Sequence, residues 1–378
     1  MTLPKKLSSI VTTAGKKIRP WMVVFVLASL YCLFTLARNQ WNPMAFVVIG
    51  RQYDPAHGVS GLGYDGQFAY QIAINPAGAS ALLDIPAYRY QRIVYPMAAR
   101  LLSLGSEAAI PWIMIVINIA SLALGTLATE LILTGHGKNR WFALAFGLFT
   151  GQMLSLRLDL TEPLAFALAQ WGVLFFDRRR LGWSGLLFAL AALTRELTLL
   201  FPAACALALI INDRKWLKGA AWGLAVLAPF AAWQVFLYNW LGKWGVSSGG
   251  ASATAFEWIP YHGWWGYHTD ETLIFVFFSI FVLAVALVPA TTGIVSGVRN
   301  LFLRRWGAGT WILLLNSLIF PFLPTSNVLN PPGLIRMVIG LVAAVLDYGA
   351  LEGSSKALRF SLLWLVLLAF GEGLMAIY

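Results

Sequence analysis

Apolar runs with no charged side chain recur along the whole chain, at 21–37, 108–129, 219–242 and 272–298. Each can cross a hydrocarbon core as a helix, the one open-chain conformation that satisfies its own backbone N–H and C=O groups in lipid. With 59% hydrophobic and only 11% charged residues over 378 positions, a soluble fold of this length is excluded. The expected fold is therefore all-α: a polytopic membrane bundle of about eleven spanning helices, forming a single domain over 1–378.

The net charge of +11 does not point to nucleic acid, because the basic residues sit in short clusters between apolar runs rather than along one face. Their positions report topology instead. The start, 1–20, carries five Lys and Arg, and further clusters lie at Lys138/Arg140, Arg178–Arg180, Arg214/Lys215/Lys218, Arg299/Arg304/Arg305 and Lys356/Arg359. A cytoplasmic N-terminus puts all of these, 18 of the 27 basic residues, on the cytoplasmic side, with the C-terminus outside. The run at 21–37 reads as a retained first helix, since no small-residue cleavage site follows it. The runs 163–176 and 181–194 have 14 uncharged residues each and span only with snorkelling flanks or local thinning. Cys32 and Cys205 lie within apolar segments and read as small buried hydrophobes.

This threading leaves two long outer loops, 38–107 and 239–271. In the first, the stretch 85–104, IPAYRYQRIVYPMAARLLSL, places Arg89, Arg92 and Arg100 near one helical stripe, with Tyr88, Ile93, Met97 and Leu101 free to face lipid. It is expected to be an interfacial helix on the outer membrane surface, kinked at Pro96. The second loop, with EWIPYHGWWGYHTDE at 257–271, is dense in Trp, Tyr and His, and suits either an interfacial aromatic belt or stacking on sugar or lipid.

The sharpest chemical candidate is GYDGQFAYQIA at 63–73. Asp65 stands between Gly63 and Gly66, which permit close backbone approach, and Gln67 and Tyr70 offer hydrogen bonds; the bland alternative is an Asp-Gly turn. Arg89 and Arg92, one turn apart, can grip a phosphate or pair with anionic headgroups. Arg336, after Pro331/Pro332/Gly333, can join them or snorkel. In DLTEP, at 159–163, Asp159 or Thr161 suits helix capping, while Asp159 and Glu162 also suit sugar hydroxyls or a divalent cation. Arg195 and Glu196 interrupt an apolar run, where an unpaired charge costs roughly 2.5–3.5 kcal/mol, so a bend carrying both to the outer surface is expected. Tyr64, Tyr88 and His262 complete the candidates for sugar or acceptor contact. His57, His136, His262 and His268 match no standard zinc spacing, so no cofactor is assigned and a divalent metal stays open.

At GYDGQFAYQIA, YRYQR with the following YP, TEPLA at 161–165 and LTRE at 193–196, the chain resembles the GT-C class of membrane glycosyltransferases. Within it the resemblance is closest to bacterial proteins associated with cell-surface glycopolymer formation. The resemblance implies a polyprenyl-phosphate-linked sugar donor used at the outer face of the bacterial cytoplasmic membrane, with a glycan or lipid acceptor. It further implies Asp65 as general base, with Arg89, Arg92, Arg195 or Arg336 on the donor's lipid phosphate. Against that pattern, the chain lacks a large soluble C-terminal domain and a plain paired-acid motif in the first loop. A flippase of lipid-linked saccharides and a non-catalytic membrane partner are the alternatives; transport would call on midplane charges, for which Glu130 and Asp347 are the few candidates.

Overall fold

The five longest apolar runs become helices because a helix satisfies their backbone groups in lipid; proline opens three of them and lies inside the other two, at Pro229 and Pro289. Pro20, Pro111 and Pro331/Pro332 sit in the first turn of α1 (Pro20–Arg38), α5 (Ile110–Gly135) and α14 (Pro331–Leu351), where a missing N–H costs nothing. Asn330 caps α14, its side chain accepting from the Gly333 N–H at 3.2 Å. The computed structural model describes residues 18–53, 58–59, 61–250, 253–254, 256–266 and 272–370. Most of the basic start lies outside the described residues, as do His57, His268, Asp270 and Glu271.

Between these come α2 (Gly66–Ile74), α3 (Pro86–Tyr90), α4 (Val94–Leu102), α6 (Thr150–Arg157), α7 (Glu162–Asp177), α8 (Leu181–Thr194), α9 (Leu200–Leu207), α10 (Trp216–Leu241), α11 (Thr272–Val282), α12 (Val288–Phe302) and α13 (Ala308–Leu318). The chain is 74% helix, with no strands among the described residues, only two isolated bridges at Ile49–Gly63 and Gly50–Val59. Among the described residues, five helices are long and apolar enough to cross a membrane: α1, α5, α10, the stretch Phe275–Phe302 and α14; Leu181–Thr194, Glu196–Asn212 and Ala308–Phe322 are shorter apolar helices.

Helix α14 is the centre of the bundle. In its most apolar window 83% of residues are buried, against 22% for α10, and it packs on α5, α6, α7 and α13. The outer helices turn large apolar side chains outward, among them Phe25, Leu30 and Phe34 on α1, Leu224 and Phe236 on α10, and Phe277 and Ile280 on α11. Apolar faces of that extent need a covering medium, and the lengths of the helices carrying them match a bilayer. Cys32 and Cys205 are free thiols buried in this packing. Glu130 is buried and paired with Arg19 at 2.9 Å, and Asp347 accepts a hydrogen bond from Gln170 at 2.9 Å.

Two expectations for the first loop need correction. The stretch 85–104 is not one interfacial helix kinked at Pro96: it breaks at Gln91–Ile93 into α3 and α4, and Pro96 lies within the first turn of α4. Nor do its arginines form an outward stripe. Arg92 is buried and the Arg89 side chain is only 9% exposed, and Arg100 donates to the Ala73 and Ile74 carbonyls at 2.8 and 2.5 Å, closing the C-terminus of α2.

Candidate functional site

Asp65 is positioned by two close backbone approaches. Gly63 is left-handed, with φ at +68°, and a Cβ there would collide with the backbone of Gly50 and Val48; at Gly66 it would collide with the Leu158 carbonyl. Gln67 fixes the same loop, accepting from the Gly50 N–H at 3.0 Å and donating to the Leu62 carbonyl at 2.9 Å. Gln67 is thereby committed to holding the loop that presents Asp65. The Asp-Gly pair opens α2, and the Asp65 side chain makes no capping bond, so its carboxylate is available to other partners.

Those partners are arginines from distant parts of the chain. Asp65 Oδ1 accepts from Arg89 Nη1 at 3.0 Å and Oδ2 from Arg336 Nη1 at 3.1 Å, which also contacts the Tyr64 hydroxyl at 3.1 Å. Arg89 holds Asp84 in two parallel bonds of 2.7 Å, and Arg92 holds Glu196 likewise at 3.0 and 2.6 Å while reaching the Tyr88 hydroxyl at 2.8 Å. Glu162 Oε1 is shared by Arg336 at 2.5 Å and Arg195 at 2.9 Å. The Arg195 contact is near enough for an ion pair, but its N–H groups are not aligned for hydrogen bonds: Nε and Nη1 have no such partner among the described residues. Aromatic faces complete the setting, with the Arg89 guanidinium 4.1 Å from the Phe68 ring centroid and that of Arg92 4.5 Å from Tyr88.

Five helix ends thus converge at one end of the bundle: the starts of α2, α7 and α14, helix α3, and the break between α8 and α9. The break is sharp, because Arg195 leaves the helix with extended backbone, φ −158° and ψ 120°. The expected bend is present, but it does not carry both charges to a surface. Arg195 is buried, and it pairs with Glu162 while Glu196 pairs with Arg92. Buried charges cost several kcal/mol each by desolvation, which is tolerable only with such partners.

These groups line a cleft of about 650 Å³, together with Tyr53, Tyr64, Gln67, Phe68, Tyr88, Ser326, Asn327 and Asn330. The candidates gathered in one cleft are therefore Asp65, Arg89, Arg92, Arg195, Arg336, Tyr64, Gln67, Tyr88 and Glu196, with Glu162 just beneath. Of the acids in this network, Asp65 has the most exposed side chain, at 33%. Burial alone would raise its pKa, but Arg89 and Arg336 outweigh that and hold the carboxyl well below the usual range.

Two candidates fall elsewhere. Asp159 is fully buried with φ at +48°, and it faces a small cavity of about 30 Å³ behind Asp65, lined also by Arg92 and Glu162. Neither of its carboxyl oxygens finds a hydrogen-bond partner among the described residues; Asn118 acts on it without meeting bonding geometry. The expected capping by Asp159 or Thr161 is not formed: Thr161 occupies the N-cap position of α7, but its hydroxyl donates to Glu162 Oε2 at 3.4 Å and not to the helix backbone. His262 lies outside the cleft, its Nδ1 2.8 Å from Glu257 Oε2, and Glu257 accepts from the Thr325 hydroxyl at 3.0 Å. Asp84 was missed, since an acid just before Ile-Pro reads as a turn residue; an acid five positions before Arg89 at a proline-opened helix is the signal that finds it.

No group of three or more His, Cys, Asp or Glu side chains among the described residues is placed to hold a metal ion. Compared with protein-family models, curated proteins and solved structures, the chain matches none. The functional reading therefore rests on this cleft.

Proposed function

We propose that the chain is a GT-C-type glycosyltransferase, moving a sugar from a polyprenyl-phosphate donor to a cell-surface glycan or lipid acceptor. The reading includes a bacterial cytoplasmic membrane, about eleven crossings with the N-terminus inside, and the cleft at the extracytoplasmic face. One observation carries it: a partly exposed carboxylate and four guanidinium groups share a cleft at the ends of apolar helices. That combination suits a substrate with a hydrocarbon tail, an anionic phosphate and a hydroxyl acceptor.

In the reaction, the acceptor oxygen bonds to the sugar's anomeric carbon as the bond from that carbon to the phosphate oxygen breaks. The electron pair of the broken bond leaves on the phosphate, and the acceptor's proton passes to Asp65 as general base. The arginines offset the charge growing on the departing lipid phosphate.

The test is transfer by the purified protein from defined polyprenyl-phosphate sugars. Asp65→Asn is expected to lower the rate by about 10²–10⁴-fold while insertion and solubility in detergent stay as in the wild type. A variant that transfers at the wild-type rate removes the mechanism.

A further inference from the structure

The arginines are not equivalent. Arg89 and Arg92 each hold a carboxylate through two parallel bonds, and releasing either would take from Asp84 or Glu196 both bonds of its guanidinium partner. Arg195 and Arg336 instead share a single oxygen of the fully buried Glu162, so that trio carries one net positive charge. Arg195 is 5% exposed, lines the cleft, and keeps Nε and Nη1 without hydrogen-bond partners among the described residues. What offsets the trio's charge is Asp65, through one contact of 3.1 Å to Arg336 and from a helix only nine residues long.

We infer that the donor's phosphate takes the place of Asp65 on Arg336, with Arg195 as its second anchor, so that the carboxylate is released for proton transfer only when a donor is bound. This rests on the glycosyltransferase reading and adds an order of events to it. Arg89 and Arg92 then position: Arg92 holds Glu196 beside Arg195, and Arg89 holds Asp84 and the second oxygen of Asp65.

Charge conservation favours the exchange. A sugar-bearing lipid phosphodiester has one negative charge, equal to that of the carboxylate it displaces. On transfer the phosphate becomes a monoester and gains a second negative charge while Asp65 gains a proton, so the total charge in the cleft is unchanged. A carboxylate still clamped between two guanidinium groups would be a weak base, because its proton affinity is low. Moving the phosphate onto Arg336 removes half of that clamp at the moment a base is needed.

The experiment is titration calorimetry on the full chain in detergent, with farnesyl phosphate as probe and farnesol and inorganic phosphate as controls. Farnesyl phosphate is expected to bind, farnesol weakly and inorganic phosphate at least tenfold more weakly. Asp65→Asn is expected to raise the affinity for farnesyl phosphate about tenfold, since a competitor for Arg336 is gone, and Arg195→Gln to lower it at least tenfold, with Arg195→Lys partly restoring it. An Asp65→Asn variant of unchanged or weaker affinity overturns the exchange. If that variant is also inactive in transfer, the enzyme reading stands and only the exchange falls; if it transfers normally, the reading falls with it. Should Asp65→Asn fail to fold, the wild type decides by infrared difference spectroscopy on protein with ¹³C-labelled aspartate. A shift of the carboxylate stretch on adding farnesyl phosphate supports the exchange, and an unchanged band overturns it.

Discussion

Glu162→Gln is the change on which the electrostatics of the cleft can be weighed. Glu162 is fully buried, with one oxygen 2.5 Å from Arg336 and 2.9 Å from Arg195. Charge centres about 4 Å apart attract by about 4 kcal/mol per pair at an effective dielectric near 20. Glutamine keeps the shape and an acceptor oxygen but forfeits both attractions, leaving two buried guanidinium groups to repel each other. Part of that loss is offset because a neutral amide is easier to bury, which leaves a net destabilisation of about 3–5 kcal/mol. The assay is unfolding by sodium dodecyl sulfate in mixed micelles, read by tryptophan fluorescence, for Glu162→Gln, Arg195→Gln and the double variant. The double variant should be less destabilised than the sum of the singles, with a coupling of at least about 2 kcal/mol. A Glu162→Gln protein within about 1 kcal/mol of wild type, or strict additivity, would refute the argument that this carboxylate holds the arginines in place.

Other outcomes follow from the same geometry. Because Arg89 and Arg336 depress the Asp65 pKa, its stabilising ion pairs are complete above the ordinary carboxylate range and are lost only as pH falls through its lower folded value, so unfolding between pH 5 and 8 should show no pH dependence from this group. In transfer kinetics the acid limb of kcat, which reports the donor-bound enzyme, should lie at higher pH than that of kcat/KM; coincident limbs would count against release of the carboxylate. Gly66→Ala should cost about 1–3 kcal/mol and abolish transfer, since its methyl meets the Leu158 carbonyl, whereas normal activity would show that the approach is not required. Asp159→Asn should leave stability unchanged or raised, because it removes a buried carboxyl that has no hydrogen-bond partner among the described residues and asparagine accepts the left-handed backbone there; detergent unfolding checks this. A cysteine at Leu62, which is 68% exposed, should react in intact cells with a membrane-impermeant maleimide, and protection until lysis would place the loop inside.

The helices were legible in proportion to how far an uncharged run outlasts any competing pattern. The runs at 21–37, 108–129 and 219–242 correspond to α1, α5 and α10, although α5 continues through Glu130 to Gly135 and α10 begins at Trp216, so charged residues lie inside both helices. Asp65 was legible because its two glycines have a backbone cause. Its partners were legible as residue types but not as pairs, since Arg336 and Glu196 lie 271 and 104 positions from the groups they bind. The 85–104 stretch was misread for a related reason. Amphipathic periodicity says that one face is charged, but it is silent on whether that face meets water, headgroups or buried acids. With Asp84, Asp65 and Glu196 waiting inside, the charged face turned inward and the helix broke to allow it. Asp159 looked like a cap because caps and left-handed aspartates share residue preferences, and only coordinates separate the two.

The resting balance of the cleft bears on what it ignores. A membrane surface is crowded with anionic phospholipids, and four bare guanidinium groups facing it would be occupied at all times by whichever headgroup was most abundant. With internal carboxylates as placeholders, a visitor must outcompete a tethered rival before it gains a foothold. On the glycosyltransferase reading proposed above, the many weak anions around the protein would thereby be turned away, and admission reserved for a ligand whose tail and sugar add binding of their own.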